Sequence, residues 1–464
     1  MILAAQRHWK QVLAGSAIGA YAGLVAALPR ITTKAVACAA LFAIPALWWL
    51  IREPWRWLAL FFVSALLLPP LPIDLGNAGP HIAILFALLG VLIGLIHSVP
   101  MRLNGLGMKL VALFAAMTAS IAMAAVYSGF PIAAASLARA ILFGISVYVF
   151  FFVSAAPVSF RFVRLLFWAA AGSAVFACLD FYFQFPAPGG YGPQFIWLES
   201  GVFRRAQGVF YEASTLGNLC TFFLVMIAVA LFQRRDKGEP FRPVSMAAML
   251  AGGAALASAL VLSYSRGSLL NLAVALTVLA WLNRRRIRIS RFLVAGGLVG
   301  LAAFAILSEL FPLFARAYWL RITQSFAYFG EAPNAILSGR LQSWSVLFQF
   351  LADHPWHAIL GIGYKTLPYS DFIGQTTIAD NTYLSILIET GILGFLALIV
   401  WNIAVIRASY RAANSDDPRR SFCGTWMLCF WAGQTVQMLS ADLLTYWRVM
   451  PVYMCVLALA VRER

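Results

Sequence analysis

The sequence predicts an all-α polytopic membrane protein. Hydrophobic residues make up 62% of its 464 residues and charged residues only 11%, and its mean hydropathy is +0.83. Soluble globular proteins are roughly 45–50% apolar. Apolar stretches close to the length of about 20 residues that a helix needs to cross a bilayer recur along the whole chain. A soluble enzyme is therefore excluded, and a bundle of transmembrane helices is expected.

The apolar stretches predict about 12–14 transmembrane helices. The range arises because two stretches are short and because the first two stretches can equally be interpreted as one re-entrant unit. An even number places both termini on the same side of the membrane. In chain order, the stretches lie near 12–28, 35–51, 57–70, 80–97, 109–126, 133–153, 164–184, 214–232, 244–263, 267–282, 292–312, 382–405, 422–440 and 446–461.

The distribution of charge predicts that both termini are cytoplasmic. Loops rich in Lys and Arg remain on the cytoplasmic side, and with both termini inside, the cytoplasmic segments hold 23 of the 34 Lys and Arg residues. The formal net charge of +17 then reflects topology and attraction to anionic lipid head groups. It does not indicate a nucleic-acid partner.

Two segments on the outer side, 185–213 and 313–381, are too long to be simple connections. Long structured loops on one face of a bundle frequently contain the functional residues. In the second segment, apolar residues recur at helical spacing over 338–352 and predict an amphipathic helix. This helix is expected to lie on the membrane surface, and packing on the bundle is an equally open interpretation that is compatible with the first.

Three arginines at predicted helix ends on the outer side indicate an anion site. Arg205 precedes a helix, Arg266 lies in a very short hairpin between two apolar helices, and Arg340 lies on the amphipathic helix. A guanidinium offers two parallel donors to phosphate oxygens, and a helix N-terminus adds unpaired N–H groups. A phosphate-bearing lipid is the expected ligand, with Arg204 as a fourth candidate. The competing interpretation is that Arg205 snorkels to lipid head groups and Glu212 caps the next helix.

Several short motifs in a fixed order resemble those of the O-antigen ligase and polymerase family of bacterial membrane glycosyltransferases. The resemblance covers roughly residues 205–394, and the ordered set is more specific than any single motif. The motifs are Arg205-Ala-Gln-Gly208-Val-Phe210, Ser265-Arg266-Gly267, Arg340 four residues before Trp344, His354-Pro355 followed by Gly361-Ile-Gly363, and Asp380-Asn381 before Glu389-Thr-Gly391-Ile-Leu-Gly394.

The resemblance implies an enzyme that takes a glycan from a polyprenyl diphosphate carrier on the periplasmic side of the bacterial inner membrane. Its acceptor is lipid A core in ligases and another carrier-linked repeat unit in polymerases. The arginines that hold the diphosphate in the family correspond here to Arg205, Arg266 and Arg340. Asp380 stands where ligases have a histidine, and this difference favours a polymerase of O-antigen or exopolysaccharide units. Chain-length regulators and flippases are the implied protein partners.

The chemistry of glycan transfer needs cations and a base. Negative charge develops on the departing diphosphate, and fixed arginines stabilise it. Asp380 is the first candidate for the base that activates the sugar hydroxyl, and Glu212 is the second. The alternative for Asp380 is a capping role, because Asp380 or Asn381 can begin the helix expected from Thr382.

No metal or cofactor is expected. The outer segments contain no Asp-x-Asp pair for a metal-dependent diphosphate reaction, and the chain has no Walker motif for ATP. A transporter without catalysis is the rival of another class. It would place paired ionisable groups near the bilayer midplane, whereas Arg139 and Asp180 are both expected near helix ends, so the enzyme is favoured.

These inferences divide the chain into three regions. N-terminal transmembrane helices are expected over 1–184, a catalytic region resembling the family with its two periplasmic loops over 185–405, and C-terminal transmembrane helices over 406–464. The partners expected of the catalytic region are the lipid-linked glycan donor, a glycan or lipid acceptor, and membrane lipids.

Overall fold

The computed structural model describes residues 45–71, 80–101, 103–188, 190–198, 201–232, 241–284, 339–369 and 377–462, and isolated positions elsewhere. These residues are almost entirely helical, which confirms the all-α membrane class. Five of the described helical segments are long and apolar enough to cross a membrane. They are Gly105–Ser128, Phe130–Ala155, Phe162–Phe183, Ala213–Leu231 and Thr382–Ala413.

The described helices match the predicted stretches closely. Those predicted near 12–28 and 292–312, and most of 35–51, lie outside the described residues. Each of the other predicted stretches overlaps a helix. In chain order the helices are α1 (Arg56–Leu67), α2 (Ile82–Ile96), α3 (Gly105–Ala119), α4 (Ile121–Ser128), α5 (Phe130–Ala155), α6 (Phe162–Phe183), α7 (Ala213–Leu231), α8 (Met246–Leu262), α9 (Arg266–Leu282), α10 (Arg340–Asp353), α11 (Pro355–Leu360), α12 (Thr382–Ala413), α13 (Pro418–Gln437) and α14 (Met450–Val461).

The chain forms two compact units, Met1–Trp57 and Leu58–Arg464. In the first unit, residues 45–52 are helical. Arg56 donates a hydrogen bond to the carbonyl of Trp49 (2.7 Å) and pairs with Glu53 (2.9 Å). The second unit contains all the predicted site residues.

Connections that are far apart in sequence meet at one end of the helices in the second unit. Ala206 N–H donates to the carbonyl of Leu262 (2.9 Å), which joins the segment 184–212 to the turn before α9. Thr382 N–H donates to the carbonyl of Met438 (2.8 Å), which joins the start of α12 to the segment 438–449. We call this end, where the described residues of the segments 184–212, 263–265, 354–369, 377–381 and 438–449 lie, the site end.

The segment 184–212 contains two short strands that the sequence analysis did not predict. Strand β1 (Phe195–Leu198) pairs antiparallel with β2 (Gly201–Arg204), with Phe195 opposite Arg204. Strands of four residues show too few alternations for a period of two to stand out in an apolar sequence. The hairpin places Arg204, the last residue of β2, and Arg205 at the site end.

The predicted amphipathic helix at 338–352 is confirmed as α10. Its buried residues, Leu347 and Phe350, pack with Ile362, Leu384 and Ile388 in one apolar cluster. Of the two expected arrangements, this face therefore packs on the protein itself.

Helix α12 is interrupted at Gly391, where φ is +70°. Ile362 N–H donates to the carbonyl of Ile388 (3.0 Å), and Gly363 N–H donates to the carbonyl of Glu389 (2.9 Å). The interruption frees helix carbonyls, and the neighbouring loop satisfies them, as buried backbone groups require. The two glycine motifs of the sequence therefore act together, because each permits the close approach of the other segment.

Candidate active site

Arg205 is fixed beside the start of α9. Its N–H donates to the carbonyl of Gln194 and its Nε donates to the carbonyl of Ser263, both at 2.9 Å. Ser263 lies in the turn between α8 and α9, and Arg266 is the first residue of α9. The backbone geometry therefore brings the first two predicted arginines to the same turn.

Buried amides lie below this turn and hold α9 in place. Asn271 of α9 donates to Gln434 (3.0 Å) and Gln437 (2.9 Å), and Asn218 of α7 donates to the same two side chains (both 2.8 Å). Hydrogen bonds between polar side chains are one of the main ways in which helices associate in lipid. The network sets the position from which Arg266 extends.

Arg340 begins α10 and pairs with Asp380. Its Nε lies 3.3 Å from Asp380 Oδ2, with the two side chains 25% and 48% exposed. Trp344 Nε1 donates to the carbonyl of Ala379 (2.6 Å), which ties α10 to the residue before Asp380. Asn381 provides the N-cap of α12, because its side chain accepts from Leu384 N–H (3.1 Å). Asp380 is therefore not the helix cap.

The three arginines lie within electrostatic range of one another. Burial lowers the pKa of the Arg205 guanidinium, Tyr446 and Glu212 raise it, and Arg340 and Arg266 lower it further. Cations this close destabilise one another, and an anion bound among them would remove that cost. The arrangement suits a group with several negative oxygens.

Glu212 lies immediately before α7, within electrostatic range of Arg205. It occupies the N-cap position without a capping side-chain bond, and its Oε2 accepts from the hydroxyl of Thr215 (2.6 Å). Burial raises the pKa of Glu212, with further increases from Asp442 and Asp380, whereas Thr215 and Arg205 lower it. A carboxyl group with a raised pKa is a stronger proton acceptor near neutral pH.

Arg204 is held by a different partner from Arg205. Its Nη2 lies 3.3 Å and 3.4 Å from the two carboxylate oxygens of Asp180, near the end of α6. Its role in binding diphosphate stays a prediction. Asp180, considered from the sequence as an intramembrane charge, is partnered at the end of its helix.

The sequence analysis missed a group of ionic residues beside Glu212. Lys365 pairs with Asp442 and lies 3.6 Å from Glu389 Oε2. The hydroxyl of Ser385 donates to Glu389 (3.0 Å). Burial alone lowers the pKa of Lys365, but the two carboxylates raise it overall, so the lysine stays charged. A signal was available in part, since Asp442 lies between two predicted helices and Lys365 lies in the long outer segment, both on the side of the arginines.

Arg448 is a second residue that the sequence analysis did not assign. Its Nε, Nη1 and Nη2 donate to the carbonyls of Ala65 (2.8 Å), Val209 (2.5 Å) and Leu68 (2.7 Å). Burial lowers its pKa to about 9. These bonds give Arg448 a structural role, in which it joins the end of α1 to the segment before α7.

Unusual backbone conformations concentrate around the site. Tyr211, Tyr264, Lys365 and Asp380 have φ between +44° and +57°, a region that non-glycine residues seldom adopt. Each lies next to a residue described above or is one of them. Conformations of this kind persist only where the surrounding structure enforces them, and they cluster at functional sites.

Residues 251–399 match the family model described as O-antigen ligase. This region is therefore similar to the O-antigen ligase family, as the ordered motifs predicted. The matched region contains Arg266, Arg340 and Asp380, and it lies within the catalytic region expected over 185–405. A match to this family indicates glycosyltransferase activity in general, and the family implies a lipid-linked glycan and an acceptor as substrates. A search of curated proteins found no match.

Proposed function

We propose that this protein is a metal-independent glycosyltransferase of the periplasmic face of the bacterial inner membrane, and that it polymerises carrier-linked repeat units of an O-antigen or exopolysaccharide. The observation that carries the proposal is the meeting of Arg205, Arg266 and Arg340 with Glu212 and Asp380 at the site end. Three guanidiniums supply the positive charge that a departing diphosphate requires.

The positions of the basic residues support a periplasmic site. The described connections at the opposite end of the helices contain Arg161 before α6, Arg284 after α9, and Arg419 and Arg420 at the start of α13. Basic connections remain in the cytoplasm. The site end then faces the periplasm.

In the proposed reaction, an acceptor hydroxyl attacks the anomeric carbon of the carrier-linked glycan. The new carbon–oxygen bond forms as the bond to the diphosphate oxygen breaks, and the electron pair leaves with the diphosphate. The hydroxyl proton passes to a carboxylate. The contacts favour Glu212 for this step, since Asp380 is paired with Arg340 and would orient that arginine. Asp380 is the alternative base.

Two observations bear on the choice between polymerase and ligase. Asp380 precedes Asn381 where ligases carry a histidine, which favours a polymerase. The description of the matched family favours transfer to lipid A core by a ligase. Both reactions use the same donor, so the arginine site is common to the two.

Deleting the gene in its host and analysing the envelope glycans separates the candidates. Loss of a polymerase leaves glycans of a single repeat, and restoring the wild-type gene returns the polymer. Loss of a ligase instead strands intact polymer on its carrier. Accumulation of single carrier-linked units at the cytoplasmic face would contradict an enzyme and favour a transporter.

A further inference from the structure

A cavity of about 910 Å³ lies at the site end with Glu212 and Thr215 in its wall. Its volume falls within the range of about 300–1,000 Å³ typical of small-molecule sites. None of Arg205, Arg266 and Arg340 lines it. These arginines therefore lie outside the cavity, and Glu212 of its wall is within electrostatic range of Arg205.

The cavity wall combines tyrosines and polar groups with aliphatic residues such as Ile84 and Leu142. Tyr191 and Tyr211 contribute rings whose centroids are 5.1 Å apart. Arg139 and Tyr369 also line the cavity. The guanidinium of Arg139 lies 4.1 Å from the centre of the Tyr369 ring and donates to the carbonyl of Lys365 (2.9 Å). Gln194 adds a polar side chain.

The backbone holds one of these tyrosines in an unusual conformation. Tyr211 has φ of +55°, which a bulky residue adopts at a cost. The side chain of Gln207 donates to the carbonyl of Tyr211 (2.8 Å) and fixes this turn. Such enforcement indicates that the position of the Tyr211 ring in the cavity is used.

A saccharide fits this lining better than a hydrocarbon chain. A sugar ring presents a C–H face that packs on an aromatic ring, and a belt of hydroxyls that needs donors and acceptors. Tyrosine supplies an apolar face and a hydroxyl together. A polyprenyl chain has no use for a carboxylate, an amide and a guanidinium in its wall.

We propose that this cavity binds the acceptor saccharide, with the attacking hydroxyl directed at Glu212. The inference rests on the proposed function, and it adds the place of the second substrate. A displacement at the anomeric carbon requires the nucleophile and the leaving group on opposite sides of that carbon. The cavity is separate from the arginines and shares Glu212 with them, so an acceptor bound in it would leave the arginines to the diphosphate and present its hydroxyl beside the candidate base.

The test uses purified full-length protein in nanodiscs and two soluble probes. The first is the oligosaccharide released by mild acid from the carrier-linked glycan of the host, and the second is farnesyl diphosphate. Binding of each is measured by saturation-transfer NMR and calorimetry. Tyr191→Ala and Tyr369→Ala are expected to weaken oligosaccharide binding by about five- to tenfold and leave farnesyl diphosphate binding unchanged. Arg266→Lys is expected to do the reverse.

Tyr410→Ala is the matched control, since Tyr410 is half exposed on α12 far from the site end, and it should bind both probes normally. If Tyr191→Ala does not fold, Tyr191→Phe is used in its place, because it keeps the ring and removes only the hydroxyl. Failure of the wild-type protein to bind the oligosaccharide, or normal binding by Tyr191→Ala and Tyr369→Ala, would overturn the inference. Oligosaccharide binding that depends on the tyrosines, without glycan transfer by the wild-type protein, would support the cavity and refute the proposed function.

Discussion

Glu212→Gln is expected to abolish most glycan transfer without disturbing the fold. The amide keeps the shape of the side chain and can still accept from the Thr215 hydroxyl, which lies 2.6 Å away, but it cannot take a proton at neutral pH. A general base contributes about 10²–10⁴-fold to a rate, equivalent to about 2.7–5.5 kcal/mol of activation free energy. A loss of kcat in that range is the expected result.

Asp380→Asn provides the matched comparison. If Asp380 only orients Arg340, the variant loses one ion pair whose carboxylate is 48% exposed. Exposed pairs contribute about 0.2–1 kcal/mol, so transfer should fall by no more than about fivefold. The difference between the two variants therefore spans at least an order of magnitude.

The assay is transfer from a carrier-linked donor by each variant in nanodiscs, followed across pH 4–9. The base must be deprotonated, and burial raises the pKa of Glu212, so wild-type activity should fall below a pH that lies above the ordinary value for glutamate. Glu212→Gln should lack this limb in its residual activity. Near-normal transfer by Glu212→Gln, together with inactive Asp380→Asn, would refute the reasoning and assign the base to Asp380.

Three further predictions test other parts of the site. Arg266→Lys should reduce glycan transfer at least tenfold, because an ammonium cannot donate two parallel hydrogen bonds to two phosphate oxygens. The control Arg161→Lys, at an exposed arginine, should retain full transfer. Equal activities of the two variants would indicate simple charge attraction. Gly391→Ala should lower the free energy of unfolding by about 2 kcal/mol or more, because φ is +70° and a Cβ there would meet the carbonyl of Ile359. The measurement is the melting temperature in detergent, with Gly105→Ala as the control, since a Cβ at Gly105 meets nothing within 4 Å. Equal melting temperatures of the two variants would show that the kink tolerates a side chain. The melting temperature of Glu212→Gln, relative to that of wild type, should be higher at pH 8 than at pH 5. The pKa of Glu212 in the folded protein is raised above 4.5, so the contribution of Glu212 to stability is present at low pH and is lost as pH rises through that pKa. A difference in melting temperature that does not change with pH would contradict a buried carboxylate.

The helices of this protein could be predicted from sequence because their signal is local. An apolar run of sufficient length has few alternatives in a membrane, since every backbone group must be satisfied within the segment. The helix at Arg340–Asp353 was equally accessible, because its apolar positions recur at helical spacing. Charged residues at helix ends, such as Arg266, could be identified by the same local reasoning.

The contacts among these residues could not be predicted, because they depend on tertiary structure. Lys365 and Asp442 lie 77 residues apart, and no local pattern indicates that they pair. The interruption at Gly391 depends likewise on a loop that begins at Gly361. The sequence also left two roles open for Asp380, and only the hydrogen bond from Leu384 to Asn381 assigns the cap.

The match to the O-antigen ligase family over residues 251–399 covers only part of the candidate site. Arg205, Glu212 and Asp442 lie outside it, yet each is joined to it by a direct or electrostatic contact. Arg205 donates to the carbonyl of Ser263, one turn before Arg266, and Asp442 pairs with Lys365. Of the candidate site residues, the matched region holds Arg266, Arg340 and Asp380, and Asp380 is paired with Arg340. We infer that the flanking segments 184–212 and 438–449 complete the proposed site, because they add Arg205, Glu212 and Asp442 to it.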